Sequence, residues 1–328
     1  MVRLCLPPAG IMLPQDLCML HLIIMAYTIS KISKKKYLCS MVSFIICTYN
    51  RAEYLGISLD ALRRSAQGSG CEILVIDNAS TDDTASICRE RTDIKYYLEE
   101  RQGLSYARNA GIAVAGGEWL VFLDDDAIVE EEYVQNLLSA LEKYPSMDAF
   151  GGRIEPRFEA EPPRWLGRWS RSWVSALDMG DKVLPFKGGK YPVGANMGVR
   201  RSVVDIVGGF DVDLGRKGSN MSGGEEKDFF LRLAACGYRI LYLPSVCVEH
   251  IIPQGRTTLE YVERFGCGVG QSERVRCKGV GKLLLRRLQE IYKWCGTLVL
   301  WVLYFLGGER VKGDALVLFR RSVSAELF

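Results

Sequence analysis

Between Met41 and Tyr144 the chain repeats one pattern four times: a short β-rich apolar run, a polar cluster at its end, then a stretch with apolar residues at helical spacing. "VSFIIC" leads through "TYNR" into "YLGISLDALRRSA", and "CEILVID" into "NASTDDTASICRERT", whose Ser and Asp residues suit a helix start. "IKYYLEE" precedes "GLSYARNAGIAVA", and "EWLVFLD" runs into "DDA" before "YVQNLLSALEKY". Strand alternating with helix predicts an α/β fold, a Rossmann-like, mostly parallel sheet flanked by helices. Ligands of such sheets bind in the crevice outside the carboxyl ends of the strands. "TYNR", "DNASTDD" and "DDD" all fall at those ends, so three separated segments are expected to converge on one crevice.

Downstream, "DAFGGRIEPRF" and "EAEPPRWLGRWSRSW" read as an extended run and a loop or lid, in which three Trp could pack inward or offer aromatic faces to a ligand. "YPVGANMGVRRSVVDIVGGF" reads as turn, strand and helix, "GGEEKDFFLRLAACG" as a Gly-led helix, and "YRILYLP" as a late strand with "SVCVEH" beyond it. The ordered domain is expected over residues 41–255, after an N-terminal extension (1–40) expected to be poorly ordered. Within that extension the apolar run Leu17 to Ile29 falls short of the ~20 residues of a membrane span. A helical region follows over 256–328. Its apolar stretch from Trp294 to Leu306 is also shorter than ~20 residues, which leaves two readings. It is either a buried core helix or an interfacial helix on the anionic inner leaflet, helped by Arg286, Arg287 and Lys293, which would make the protein peripherally membrane-associated.

The charge balance, 42 Lys and Arg against 39 Asp and Glu, argues against a nucleic-acid partner. Eleven cysteines, an odd number with no C-x-x-C pair, fit reduced thiols in a cytoplasmic compartment.

The three aspartates Asp124, Asp125 and Asp126 carry the chemistry. Like charges in a partly desolvated site raise one another's pKa, so three together call for a compensating cation. Mg2+ or Mn2+ takes one or two protein carboxylates and leaves its other positions to water and substrate phosphates. Alternation along an extended chain would set Asp124 and Asp126 on one face and Asp125 on the other, a D-x-D arrangement.

Taken in order, "VSFIICTYNR", "ILVIDNASTDDT", "GLSYARNAGIAVAGGEWLVFLDDDA" and "GANMGVRR…GGEEKDFFLRL" resemble a bacterial family 2 glycosyltransferase with the GT-A fold, over about Met41 to His250. The resemblance implies a nucleotide-diphosphate sugar donor and a saccharide or glycolipid acceptor, and together with the apolar C-terminal segment it points to cell-surface polysaccharide or glycolipid assembly, with the protein cytoplasmic or at the inner face of the cell membrane. It implies that Thr48, Tyr49 and Asn50 line the nucleotide pocket and that Asp77 and Asn78 hold the nucleobase, with Asn78 standing where many relatives have Asp. Arg108 matches a phosphate-side arginine. Asp126 would bind the metal, with Asp124 near the ribose and His250 near the metal or diphosphate. Asn196 in "GANMG" falls near the donor sugar and acceptor. The base that accepts the acceptor's proton would be Glu226, where the family usually has Asp, with Glu225 or Asp228 as alternatives.

Two rival readings stand beside this one. A haloacid dehalogenase-type phosphatase also begins with D-x-D after an apolar strand, but at the first strand and with Thr or Val two residues beyond, where this chain has Ile128. A non-catalytic nucleotide-sugar-binding protein would fit the altered carboxylate in "GGEEKD".

Overall fold

The computed structural model describes residues 42–218 and 221–328; the extension over residues 1–40 lies outside the described residues. The expected alternation forms: β1 (Val42–Thr48), β2 (Glu72–Asp77), β3 (Lys95–Leu98) and β4 (Trp119–Asp124) lie parallel, joined through α1 (Ala52–Ser65), α2 (Thr84–Arg89) and α3 (Leu104–Val114). Next come β5 (Ala127–Val129), α4 (Tyr133–Lys143), β6 (Ala149–Phe158), β7 (Leu184–Pro185), β8 (Asn196–Arg200), α5 (Arg201–Val207), α6 (Glu225–Ala235) and β9 (Ile240–Ile252). The sheet has the order β3-β2-β1-β4-β8-β6-β9-β5, with β7 also paired to β9. β8 runs antiparallel to β4 and β6, and β5 and β7 run antiparallel to β9.

Period-2 alternation sorts the strand side chains onto two faces. Phe44 and Ile46 of β1, with Val75 and Val121, pack against α1 and α4 on one face. Ile45, with Leu74, Ile76 and Phe122, packs against α3, α5 and α6 on the other. α1 contributes Leu55, Leu59 and Leu62, a spacing that keeps all three on the sheet side, and burying each stabilises by roughly 1.5–3 kcal/mol.

The late strand is longer than the sequence shows. "YRILYLP" and "SVCVEH" join in one strand, β9, with a register shift opposite Gly152 and Arg153 of β6. Asn196 of β8 plugs this irregularity. Its Nδ2 donates to the carbonyls of Arg153 (3.0 Å) and Val246 (2.8 Å), and its Oδ1 accepts from the Tyr133 hydroxyl (2.7 Å). Gly152 is required here, because a Cβ would lie 2.1 Å from both Asn196 Nδ2 and the Val246 carbonyl. The second half of β9 then pairs with β5 so that His250 stands opposite Ala127.

The C-terminal region is helical: α7 (Leu259–Arg276), α8 (Val280–Leu306) and α9 (Arg310–Leu327). α7 and α9 cover the loop after β6 through a third core cluster holding Trp165, Trp173, Val262 and Ala315. Two of that loop's three Trp are therefore core residues, and Trp169 alone is 55% exposed. The expectation of a buried core helix over Trp294 to Leu306 is not met. The only buried residues of α8 are Arg286, Glu290 and Thr297, while most of its Leu, Val and Ile side chains face outward and Leu283 and Leu300 are half-buried. Arg286 and Arg287 are also not free for lipid headgroups: Arg286 is paired to Glu273 (2.6 Å) and Glu290 (2.9 Å), and Arg287 donates to the carbonyls of Leu327 and Phe328. No helix among the described residues is long and apolar enough to cross a membrane.

Candidate active site

The parallel register lines up the strand ends, Thr48 beside Asp77 and Cys47 beside Asp124. Outside them opens a cavity of about 1140 Å³, walled by the β1, β2 and β4 ends, the loops after β6 and β7, and the N-terminus of α6. That exceeds the ~300–1,000 Å³ typical of a site for one small ligand, so two substrates fit.

All three aspartates line this cavity. The alternation expected for them stops early because β4 ends at Asp124 and the chain turns at Asp125 and Asp126, bringing Asp125 round to the same wall. One ligand atom each from Asp124, Asp126 and His250 lies within 4.8 Å of the others. His250 Nδ1 sits 3.3 Å from the Val174 carbonyl and its Nε2 2.9 Å from Asp126 Oδ1. With the proton on Nδ1 donated to that carbonyl, Nε2 turns a lone pair toward a carboxylate oxygen, and only a proton or a metal ion reconciles the two. Two carboxylates and an imidazole whose other nitrogen is fixed by a backbone carbonyl form a donor set that fits a divalent ion.

The charges behave as their crowding requires. Burial, then the charge of Asp126, pushes Asp125 up to about 7. Burial also opposes ionisation of Asp126, yet His250, Arg256 and Arg51 hold its carboxyl well below the usual range. Arg51 bonds to Asp126 and lies 3.3 Å from Asp125, and Arg256 lies 3.9 Å from Asp126.

Facing the aspartates, Glu225 and Glu226 open α6, where the helix N-terminus favours negative charge. Arg108 of α3, only 2% exposed, clamps both: Nη1 donates to Glu225 (2.8 Å) and Nη2 to Glu226 (3.0 Å), with Asp124 at 3.8 Å from Nη2. Arg108 therefore meets carboxylates here. Glu226 Oε1 also accepts the Gly194 backbone N–H (3.1 Å). Burial and then the neighbouring Glu225 push Glu226 up to about 7, against the pull of Arg108. Asp228, one turn along, is paired with Arg232 at 2.8 Å.

Other residues singled out from sequence hold the walls. Thr48 and Tyr49 line the cavity, and the Tyr49 hydroxyl accepts from Gln102 (2.9 Å). Asn50 lies off the cavity wall and ties the β1 end to Thr81 (2.7 Å). Asp77 is buried, accepting from the Ser80 N–H and the Tyr96 hydroxyl, both at 2.8 Å. Asn78 reaches the cavity, but its amide is occupied by the carbonyls of Glu99 and Arg101 and the N–H of Gly103, so it shapes the loop before α3 and has no donor left for a base. Asn196 is fully buried at the β9 irregularity and does not reach the cavity.

Arg51, Arg256 and Gly194 are site residues that the sequence pattern does not single out. Arg51 closes "TYNR" and Gly194 opens "GANMG", so both stood inside recognised motifs. What was missing was which atom of each segment would face the carboxylates.

Comparison with known proteins agrees with this architecture. A family model described as "Glycosyl transferase family 2" matches residues 43–208. The glucosyl-dolichyl phosphate glucuronosyltransferase of Haloferax volcanii is 25% identical over 240 residues, 71% of this chain and 76% of that protein. The succinoglycan biosynthesis protein ExoM of Rhizobium meliloti is 26% identical over 237 residues, 69% and 72% of the two chains. In fold, the chain resembles a mannosyltransferase of Pyrobaculum calidifontis solved in complex with GDP-Man and Mn2+, with a TM-score of 0.54 at 19% identity over 85% of each chain.

Proposed function

The chain belongs to glycosyl transferase family 2 and has the GT-A fold, and from that premise we propose that it transfers a sugar from a nucleotide-diphosphate sugar to a hydroxyl of a saccharide or glycolipid acceptor, inverting the anomeric carbon. The observation that carries this reading is one cavity with a metal-type donor set, Asp124, Asp126 and His250, on one wall and a carboxylate pushed up to about 7, Glu226, on the other. A group titrating near neutral pH is suited to proton transfer.

Thr48, Tyr49 and the loop fixed by Asn78 receive the nucleotide. Mn2+ or Mg2+ at Asp124, Asp126 and His250 supplies, when bound, neutralisation of the charge on the leaving diphosphate. Glu226 takes the acceptor's proton as the hydroxyl oxygen attacks the anomeric carbon. The bond from that carbon to the diphosphate oxygen breaks on the opposite face, nucleoside diphosphate leaves, and an α-linked donor yields a β-linked product. Arg108 and the Gly194 N–H hold Glu226 in place.

The mannosyltransferase complex supports a nucleotide-sugar donor and a divalent ion, and the succinoglycan and dolichyl-phosphate relatives support work on surface polysaccharide or lipid-linked sugars. The outward apolar face of α8 supports a location at a membrane surface. Residues 41–255 carry the donor and base side chains in this reading, with Arg256 and α7 completing the cavity wall.

The test is a panel of nucleotide sugars with Mn2+ on the full chain. Nucleoside diphosphate release from one donor, lost in Glu226→Gln with nucleotide binding retained, is the expected result. Release of inorganic phosphate from a phosphomonoester, with no turnover of any nucleotide sugar, would overturn it.

A further inference from the structure

α8 is built inside out. A helix on a water-facing surface hides its apolar stripe and shows its charges. α8 instead buries Arg286, Glu290 and Thr297, and from Val280 to Leu306 twelve large apolar side chains stand in the open. At ~1.5 Å rise per residue, this apolar ridge is about 40 Å long. α9 packs along the other flank, where Trp294 bonds to Ser324 and Trp301 to Asp314, so among the described residues nothing covers the ridge.

The C-terminal end of α8 lies beside the mouth of the cavity, touching its loop through Tyr304 on the side opposite the ridge. Gly167 packs against Tyr304 of α8 and Lys312 of α9, where a Cβ would come within 3.1 and 3.2 Å of their side chains. The next two residues, Arg168 and the exposed Trp169, line the cavity. So do Arg171, Lys190 and Arg216. Unlike Arg51, Arg108, Lys227 and Arg256 in the same walls, these four cations have no carboxylate partner among the described residues. A sugar diphosphate carries two negative charges and a divalent ion two positive ones, so the donor side leaves the four without a counter-charge.

We propose that the acceptor is a lipid-borne phosphate ester. Its accepting hydroxyl reaches Glu226, and its phosphoryl group lies among Arg168, Arg171, Lys190 and Arg216, which suit phosphate oxygens. Its hydrocarbon leaves past Trp169 along α8 into the bilayer that the ridge faces. This identification rests on the glycosyl-transfer reading of the same cavity.

The test uses the full chain with Mn2+ and its nucleoside diphosphate bound, titrated calorimetrically with decyl phosphate, decanol and inorganic phosphate. Decyl phosphate is expected to bind at least tenfold more tightly than either of the others. A variant carrying R168Q, R171Q, K190Q and R216Q is expected to lose that preference while keeping its nucleotide affinity. Decanol binding as tightly as decyl phosphate would remove the anion site, and inorganic phosphate binding as tightly would remove the lipid. For the ridge, L303E/L306E is expected to stop cosedimentation with phosphatidylcholine vesicles carrying phosphatidic acid, and unchanged cosedimentation would overturn the bilayer assignment. Failure of every nucleoside diphosphate to bind the wild type would instead count against the transferase reading itself.

Discussion

Gly194 offers the sharpest single perturbation of the proposed chemistry, because its missing side chain is what lets Arg108 and Glu226 meet. A Cβ at this position would lie 2.1 Å from Arg108 Nη2 and 2.1 Å from Glu226 Oε1. Gly194→Ala must therefore separate the 3.0 Å Arg108–Glu226 contact and displace the carboxylate from the Gly194 N–H at 3.1 Å. Hydrogen bonds to charged groups contribute about 1.5–3 kcal/mol each, and overpacking costs about 1–3 kcal/mol. Water in the cavity recovers part of this, leaving a loss of about 3 kcal/mol. That is a fall in Tm of about 6 °C at roughly 2 °C per kcal/mol for a chain of this size. If the orientation of the base matters only in the transition state, the same loss lowers kcat roughly 100-fold. Thermal melts and initial rates of nucleoside diphosphate release measure the two effects, and nucleotide affinity should hold. Because both lost donors favour the ionised carboxylate, the pH at which activity rises should also move upward. A variant that melts within about 1 °C of wild type and turns over within about twofold would refute the assignment of Arg108 and Gly194 as the groups that hold the base.

Glu226 must be ionised to accept a proton, so kcat should climb with pH through about 7 and level off above it, a limb absent from the residual activity of Glu226→Gln. Its folded-state pKa lies above its ordinary value of 4.5, so the folded chain holds the proton more tightly and Glu226's share of stability falls as pH rises between those values. The melting temperature of wild type relative to Glu226→Gln should decline from pH 4 to 8, and a relative gain would contradict the shift. Mn2+ at 100 times its Kd should stabilise the wild type by about 2.7 kcal/mol, visible as a raised Tm, and Asp126→Ala and His250→Ala should lose that rise. Retention of the full rise in either variant removes that residue from the ligand set. Asn196→Ala strands the Tyr133 hydroxyl and the Arg153 and Val246 carbonyls, costing about 2–5 kcal/mol in stability with nucleotide affinity unchanged. A kinetic defect with an unaltered melt would return Asn196 to a substrate-contacting role.

By itself the sequence determined the alternating strands and helices from Val42 to Lys143 and the placing of polar residues beyond the strand ends. Those depend on side-chain period and turn chemistry within a few residues of chain. It also placed Asp124, Asp126 and Glu226 on motifs whose order could be read directly. Only the tertiary structure decided which partner each polar group meets. His250 reaches Asp126 because β5 and β9 pair Ala127 with His250. Asn196 turns inward because β9 carries extra residues opposite Gly152. Arg108 lies under Glu225 and Glu226 because α3 and α6 share a face of the sheet. The apolar run of α8 was legible, but its outward direction was not, since it follows from Glu273 on a different helix drawing Arg286 into the protein. Local pattern fixes which way neighbouring residues alternate; contacts between distant segments fix what they alternate against.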